Sequence, residues 1–266
     1  VQFALPPLTP VTKRLLIVNT AIFLACWLLY LVHGETKYAV YRVLSLNPEL
    51  WSSWFPLVPV WQVFTHGFLH STENPTHLLW NMIQLYFFGT MLEAAVGSRR
   101  FLTTYLAAML CGAAMQMFVM MASQTQVSAV GASGAVVGVV VAMATLRPRA
   151  QVFVFFIPVT LMLLAIVIVA LDFIFAMNTL VKGAGTGVAH WVHLGGAAFG
   201  FATVRFGWIN VDWLERRRAR RVVAGEQSRR EDDLKMDALL EKIHREGMSS
   251  LTRAERSFLK RVSNRR

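Results

Sequence analysis

Six apolar stretches, with at most one charged residue each, dominate the chain: Leu15–Val32, Thr76–Val96, Phe101–Ala122, Gly131–Leu146, Val152–Leu180 and Val188–Gly207. Most approach the ~20 residues that a helix needs to cross a bilayer. Of all residues, 55% are hydrophobic, above the roughly 45–50% of a soluble domain. Such a chain cannot bury its apolar surface in one water-soluble core. The pattern predicts an all-α, polytopic membrane protein with six transmembrane helices over residues 1–210. A small cytoplasmic helical tail is expected over 211–266. The fourth stretch is short for a span. The fifth is long, which points to tilt or to a run-on into a loop.

Charge placement orients the spans. Lys13 and Arg14 precede the first, Arg99 and Arg100 join the second and third, and Arg147 and Arg149 join the fourth and fifth. Arg205 and the Arg216–Arg221 cluster follow the sixth. If the spans alternate, all of these fall on one side, and the other side keeps only Lys37, Arg42 and Lys182. The positive-inside rule then puts both termini in the cytoplasm, with a bacterial inner membrane as the expected location. The net charge of +11 is therefore a matter of topology and of contact with anionic lipid headgroups, and no nucleic-acid partner is expected. Lys13 and Arg14 before a long apolar run read as a retained first span, with no cleavable signal peptide. Cys26 and Cys111 lie inside apolar runs, so neither a disulfide framework nor a metal site is expected, and no cofactor.

Two further regions stand out. The connector from Gly34 to Pro75 is rich in tryptophan and proline. Trp51, Trp54 and Trp61 suggest a segment in the headgroup belt, or an ordinary extramembrane loop. In the tail, DWLERRRARR is expected to continue the last helix into water. Leu234, Ala238, Leu239 and Ile243 then recur at helical spacing up to Gly247. Thr252 and Glu255 form a capping box for a second helix. A helical hairpin follows, with Leu240, Leu251, Phe258 and Leu259 available to pack. It shows no chemistry and names no partner.

Four polar residues interrupt the apolar runs: His77, Asn81, Ser133 and His193. Polar groups inside a membrane are costly and mark functional sites. Taken singly, each also fits a packing role. Depth is what ties them together. At a rise of ~1.5 Å per residue, Ser133 stands about 21 Å from Arg147, His193 about 18 Å from Arg205 and Asn81 about 24 Å from Gly97, so three spans place them at one level. His77 is one turn from Asn81 on the same face. Gly134 and Gly138 on the fourth span, and Gly196 and Gly200 on the sixth, allow close backbone approach. A serine and a histidine brought together in this way form a nucleophile–base dyad. Ser133 at a helix N-terminus would have free N–H groups beside it for an oxyanion. His190 competes with His193, but the glycine spacing selects His193. His66 and His70 are expected to brace the connector. Asp172 is expected to make a structural pair or to contact water, with a third catalytic role also conceivable. Glu93 is expected to partner arginines.

GASGA, HLLWN, AHWVHLGGAAFG and the upstream WQVFTHGFLH resemble the motifs of the rhomboid intramembrane serine proteases, over roughly Pro6 to Gly207. The resemblance implies a six-span rhomboid-like bundle. It further implies Ser133 as nucleophile, His193 as general base and acid, and His77 and Asn81 as oxyanion stabilisers. The implied substrates are transmembrane proteins, cut near a helix end. The tail resembles an extension found on some bacterial members. Two departures matter. Val137 stands where many members stack an aromatic on the histidine, and Gln62 where many have arginine after the loop tryptophan. A non-catalytic rhomboid-like binder of membrane clients is the alternative. A transporter would need polar rows along several spans and inverted repeats, and neither is visible.

Overall fold

A computed structural model of the chain describes residues 6–32, 34–53, 58–123, 127–154, 156–182, 188–209 and 232–263. These fall into two compact units, one within Val1–Val211 and one within Asp212–Arg266. Trp54, the Arg216–Arg221 cluster and the expected helix extension over 212–221 lie outside the described residues.

The first unit is mostly helical. Helix α1 (Pro10–Val32) buries Thr12, Leu15, Asn19 and Phe23 along one face and leaves apolar residues such as Ile17, Leu24 and Leu28 exposed. A helix that shows hydrocarbon on its outer side fits lipid, not water. Its first turn is capped from a distance. The buried Glu93 carboxylate accepts from the Val11 N–H (3.0 Å), the Thr12 N–H (2.8 Å) and the Thr12 hydroxyl (2.9 Å), and from Ser98 Oγ (2.6 Å). Those N–H groups have no intrahelical partner, and the positive end of the helix favours a carboxylate. The structure thus uses Glu93, expected beside arginines, to fix the start of α1.

The connector is folded. It contains α2 (Gly34–Leu44), α3 (Pro48–Ser53) and α4 (Gln62–Thr65), the last running into a tight turn over His66–Phe68. Gln62 is fully buried and holds these pieces together. Its Oε1 accepts from the Asn47 N–H and Trp51 Nε1 (both 3.0 Å), and its Nε2 donates to the carbonyls of Arg42 (3.1 Å) and Val43 (3.0 Å). An amide offers both donors and acceptors, so it satisfies groups that an arginine, which only donates, could not. Trp61 Nε1 also donates to Val43 O (2.8 Å).

The second apolar stretch forms α5 (Pro75–Gln84), a π-helical turn (Leu85–Gly89) and α6 (Thr90–Val96). Helix α7 (Ser98–Ser123) follows, then α8 (Ser133–Leu146). Helix α8 is the centre of the unit: every residue from Gly134 to Ala144 is buried. Sequence that is apolar all round finds protein on every side here. The fifth stretch differs from expectation. Residues Gln151–Val154 (β1) and Ile157–Thr160 (β2) form an antiparallel hairpin, and α9 begins only at Leu161 and ends at Lys182. Pro158 disfavours a helix interior, and Phe156 sits at φ 71 in the turn. The sixth stretch is α10 (His190–Arg205).

Helices α8 and α10 meet backbone to backbone. A Cβ on Gly138 would stand 2.8 Å from the carbonyl oxygen of Gly196. One on Gly196 or Gly200 would press into the carbonyl of Gly134 or Gly138 respectively. The two glycine strips expected to face one another do so. By length and composition, three helices among the described residues can cross a membrane: Pro10–Val32, Ser98–Ser123 and Leu161–Val181. Helix α8 is apolar but shorter.

The second unit is a helical hairpin. Helix α11 covers 232–246 and α12 covers Arg253–Ser263. Gly247, at φ 80, ends α11 with its N–H on Ile243 O (2.9 Å). Leu239, Leu251, Phe258 and Val262 form the core, with Met236, Ile243 and Leu259 against it. Leu240, expected to pack, is 51% exposed, and Leu234 is 70% exposed. Their α11 positions fall outside the face that meets α12.

Candidate active site

Ser133 is the first residue of α8, and the chain reaches it through a braced turn. Leu46 and Ala129 exchange both backbone hydrogen bonds at 3.0 Å. The Gly131 N–H donates to His66 O (2.9 Å), and the Ala132 N–H to His70 Nε2 (3.4 Å). The His66 ring is fixed by Nδ1 against Gln62 O (2.9 Å), and Tyr41 donates its hydroxyl to His70 O. His66 and His70, expected to brace the connector, join it to the turn before Ser133. Gly131 has φ +120, and a Cβ there would stand 2.7 Å from His77 Nε2. Only glycine allows both that backbone and the imidazole against it.

His193 lies one turn into α10. Its Nε2 is 2.7 Å from Ser133 Oγ, and its Nδ1 is 2.8 Å from Asp172 Oδ1 on α9. The same carboxylate oxygen is 2.7 Å from His190 Nδ1. Of the two histidines, His193 faces the serine and His190 the Asp172 carboxylate. The expected structural pairing of Asp172 is made with both histidines. The side chains of Asp172, His190 and His193 are 10%, 9% and 14% exposed. With Val137 in place of an aromatic, the orientation of the His193 ring is set by Asp172 on one side and Ser133 on the other.

His77 and Asn81 stand beside the serine turn on α5. Asn81 Nδ2 lies 3.7 Å from where a Gly131 Cβ would be, but it donates to His77 O at 3.0 Å. The His77 ring packs on His70, with centroids 5.3 Å apart. Both predicted oxyanion donors are therefore next to the turn, with the Asn81 amide engaged by its own helix. Ser133, Asn81, Asp172 and His193 line one cavity of about 940 Å³, walled by aromatic side chains such as Trp80 and Phe175. Helix geometry leaves the first N–H groups of α8 without intrahelical acceptors at its edge.

Among the described residues, Asp172, His190 and His193 form the one set of three ligand-type side chains close enough to hold a metal ion, with their ligand atoms within 4.8 Å of one another. In the structure those atoms are joined to each other by hydrogen bonds. Two contributions go beyond the sequence reading: the sharing of Asp172 between two histidines, and the four bonds of Gln62. The signal for the first is an acid inside an apolar span and two histidines at i and i+3. For the second there is only an uncharged residue at a position expected to be cationic.

These features define a helical membrane protein that carries a serine–histidine pair at the head of a buried helix. A model of the Rhomboid domain matches residues 59–210, more than half of the chain, and the chain belongs to the rhomboid family. RHOMBOID-like protein 12, mitochondrial, of Arabidopsis thaliana is 34% identical over 139 residues. That match covers 46% of this chain and 39% of the relative, so the chain spans less than half of the length of that protein. Residues 226–265 match a family described as of unknown function (DUF6576).

Proposed function

We propose that the protein is an intramembrane serine endopeptidase whose substrates are transmembrane proteins. The observation that carries this reading is the 2.7 Å contact between Ser133 Oγ and His193 Nε2 in the lining of a largely apolar cavity. Ser133 Oγ attacks a substrate carbonyl while its proton passes to His193 Nε2. The substrate helix must unwind locally, because an intact helix hides its carbonyls in hydrogen bonds. The oxyanion meets N–H groups at the start of α8, with His77 and Asn81 beside them once Asn81 turns from its own helix. One such donor is worth about 2.7–4 kcal/mol in the transition state. The C–N bond breaks and His193 gives its proton to the leaving amine. Water then attacks the Ser133 ester while His193 takes its proton; the C–Oγ bond breaks, His193 returns the proton to Ser133 Oγ, and the carboxylic acid product leaves.

The wider setting belongs to the same reading. Six helical segments cross the membrane: α1, α5 with α6, α7, α8, α9 and α10. Residues 1–210 form the protease and 211–266 a cytoplasmic tail. Both termini face the cytoplasm of a bacterial inner membrane, as the basic residues favour, and cleavage occurs toward the outer face. Lipid surrounds the exposed apolar sides of α1 and α9. The protein named above is labelled mitochondrial; the membrane assignment for this chain rests on its charge pattern.

Purified protein in liposomes, given transmembrane peptides, tests the reading. Ser133→Ala and His193→Ala should each abolish cleavage while leaving the folded protein intact, and mass spectrometry should map the cut only in the wild type. Full activity of either variant would reject the assignment. A protein that binds such peptides with no cut in any form would instead be a client binder.

A further inference from the structure

The geometry points to Asp172 as a positioning residue for His193, itself held in place by His190; this rests on the proteolytic reading above. One carboxylate oxygen, Oδ1, lies 2.7 Å from His190 Nδ1 and 2.8 Å from His193 Nδ1. An ionised carboxylate only accepts hydrogen bonds. Both Nδ1 atoms must therefore donate. A neutral imidazole has one N–H, so His193 Nε2 keeps its lone pair, and that lone pair faces Ser133 Oγ at 2.7 Å. The other tautomer would set a lone pair against the carboxylate and leave the base nitrogen occupied. Asp172 thus selects the form of His193 that can take the serine proton, and steadies the imidazolium that forms when it does.

Two further observations make this more than a stray contact. Asp172 is only 8% exposed and sits in an apolar helix, where an unpartnered carboxylate is strongly unfavourable. Its helix also supplies the support for its second partner. Phe175, three residues on, stacks against His190 with centroids 5.3 Å apart and planes at 25°. His190 meets His193 edge-on at 6.0 Å and 87°. With His190 held by the Phe175 ring and the Asp172 carboxylate, both on α9, the shared oxygen is engaged by His190 as well as by His193, which it orients. The arrangement is a chain of hydrogen bonds from Ser133 through His193 to Asp172, with His190 as its buttress.

Steady-state cleavage of a fluorogenic transmembrane peptide by the full chain in liposomes tests this. Asp172→Asn should lower kcat by about 100-fold or more with KM within threefold, because substrate contacts remain while the base is no longer held in its reactive form. Asp172→Glu should be at least about tenfold faster than Asp172→Ala, because it restores the acceptor that selects the tautomer. His190→Phe should fall between wild type and Asp172→Asn. Asp172→Asn and Asp172→Ala that keep kcat within threefold, beside an inert Ser133→Ala, would overturn the inference and leave the proteolytic reading standing. An active Ser133→Ala would remove that reading itself. A second test reads the tautomer in the wild type itself. Nitrogen-15 NMR of histidine-labelled protein, with the His193 signal assigned by loss in His193→Gln, should show a protonated Nδ1 and a bare Nε2. The reverse pattern would overturn the inference.

Discussion

The α8–α10 seam and the α11–α12 hairpin are both pairs of packed helices, yet they are held by opposite means. The seam has almost no side chains at its heart: Gly134 and Gly138 lie against Gly196 and Gly200, backbone on backbone. The hairpin is held by side chains, with Leu239, Leu251, Phe258 and Val262 forming its core. In lipid, hydrocarbon burial does little to bring helices together, and close packing of small residues takes over. In water, apolar burial does the work. The seam also serves a purpose that the hairpin does not. Close backbones let a short serine side chain reach an imidazole on the next helix.

The contrast can be broken by adding a methyl group in one place and removing a ring in the other. Gly196→Ala and Gly200→Ala put a carbon into a carbonyl of the facing helix. That should cost at or beyond the ~3 kcal/mol upper end of overpacking and lower cleavage with it. Thermal unfolding in detergent, read beside the cleavage rate, checks this. Phe258→Ala should cost the hairpin about 3 kcal/mol, seen as faster hydrogen exchange of amides 232–263 in the full chain. If Gly196→Ala is neutral, or Phe258→Ala leaves exchange unchanged, the two regions are not held as described.

Smaller changes sharpen the same comparison at the braces. Gln62→Leu removes the acceptor of the Asn47 N–H and Trp51 Nε1 and the amide donor to the Arg42 and Val43 carbonyls, of which Val43 keeps Trp61 Nε1. A loss of about 2 kcal/mol is expected, with faster exchange in 42–51 and in the turn before Ser133. Thr252→Ala should cost the hairpin about 1 kcal/mol as a lost N-cap. The smallest effect is one of pH. The Thr252 N–H, the Thr252 hydroxyl and the Lys242 ammonium hold the Glu255 carboxyl below its ordinary value. A lowered folded-state value means that its stabilisation is complete above the usual glutamate pKa of about 4.3. It is lost as pH falls from there through the folded value. Exchange protection of α12 should weaken over that acid window, and Glu255→Gln should flatten the response.

Much of the site is legible in the sequence because its parts are local signals. Ser133 at the start of a helix follows from a glycine-flanked turn before an apolar run. The choice of His193 follows from glycines three and seven residues later, which mark the face turned toward α8. The capping box at Thr252 and Glu255 is likewise a four-residue pattern. What is not legible depends on contacts between distant segments. No periodicity tells which helix Asp172 faces, or that Glu93 caps a helix that begins some 80 residues earlier, at Val11 and Thr12. The π-helical turn at Leu85–Gly89 carries no simple residue code. Pro158 does mark a break in the fifth stretch, but unbroken hydrophobicity around it reads equally as a long span.

The most direct measurement of the central claim is covalent trapping of the nucleophile. The protein in liposomes would be treated with a fluorophosphonate and its labelled peptides mapped by mass spectrometry. The account predicts a single adduct on Ser133, absent in His193→Ala because the hydroxyl then has no base 2.7 Å away. An adduct on another residue, or labelling of Ser133 that is unchanged without His193, would contradict it.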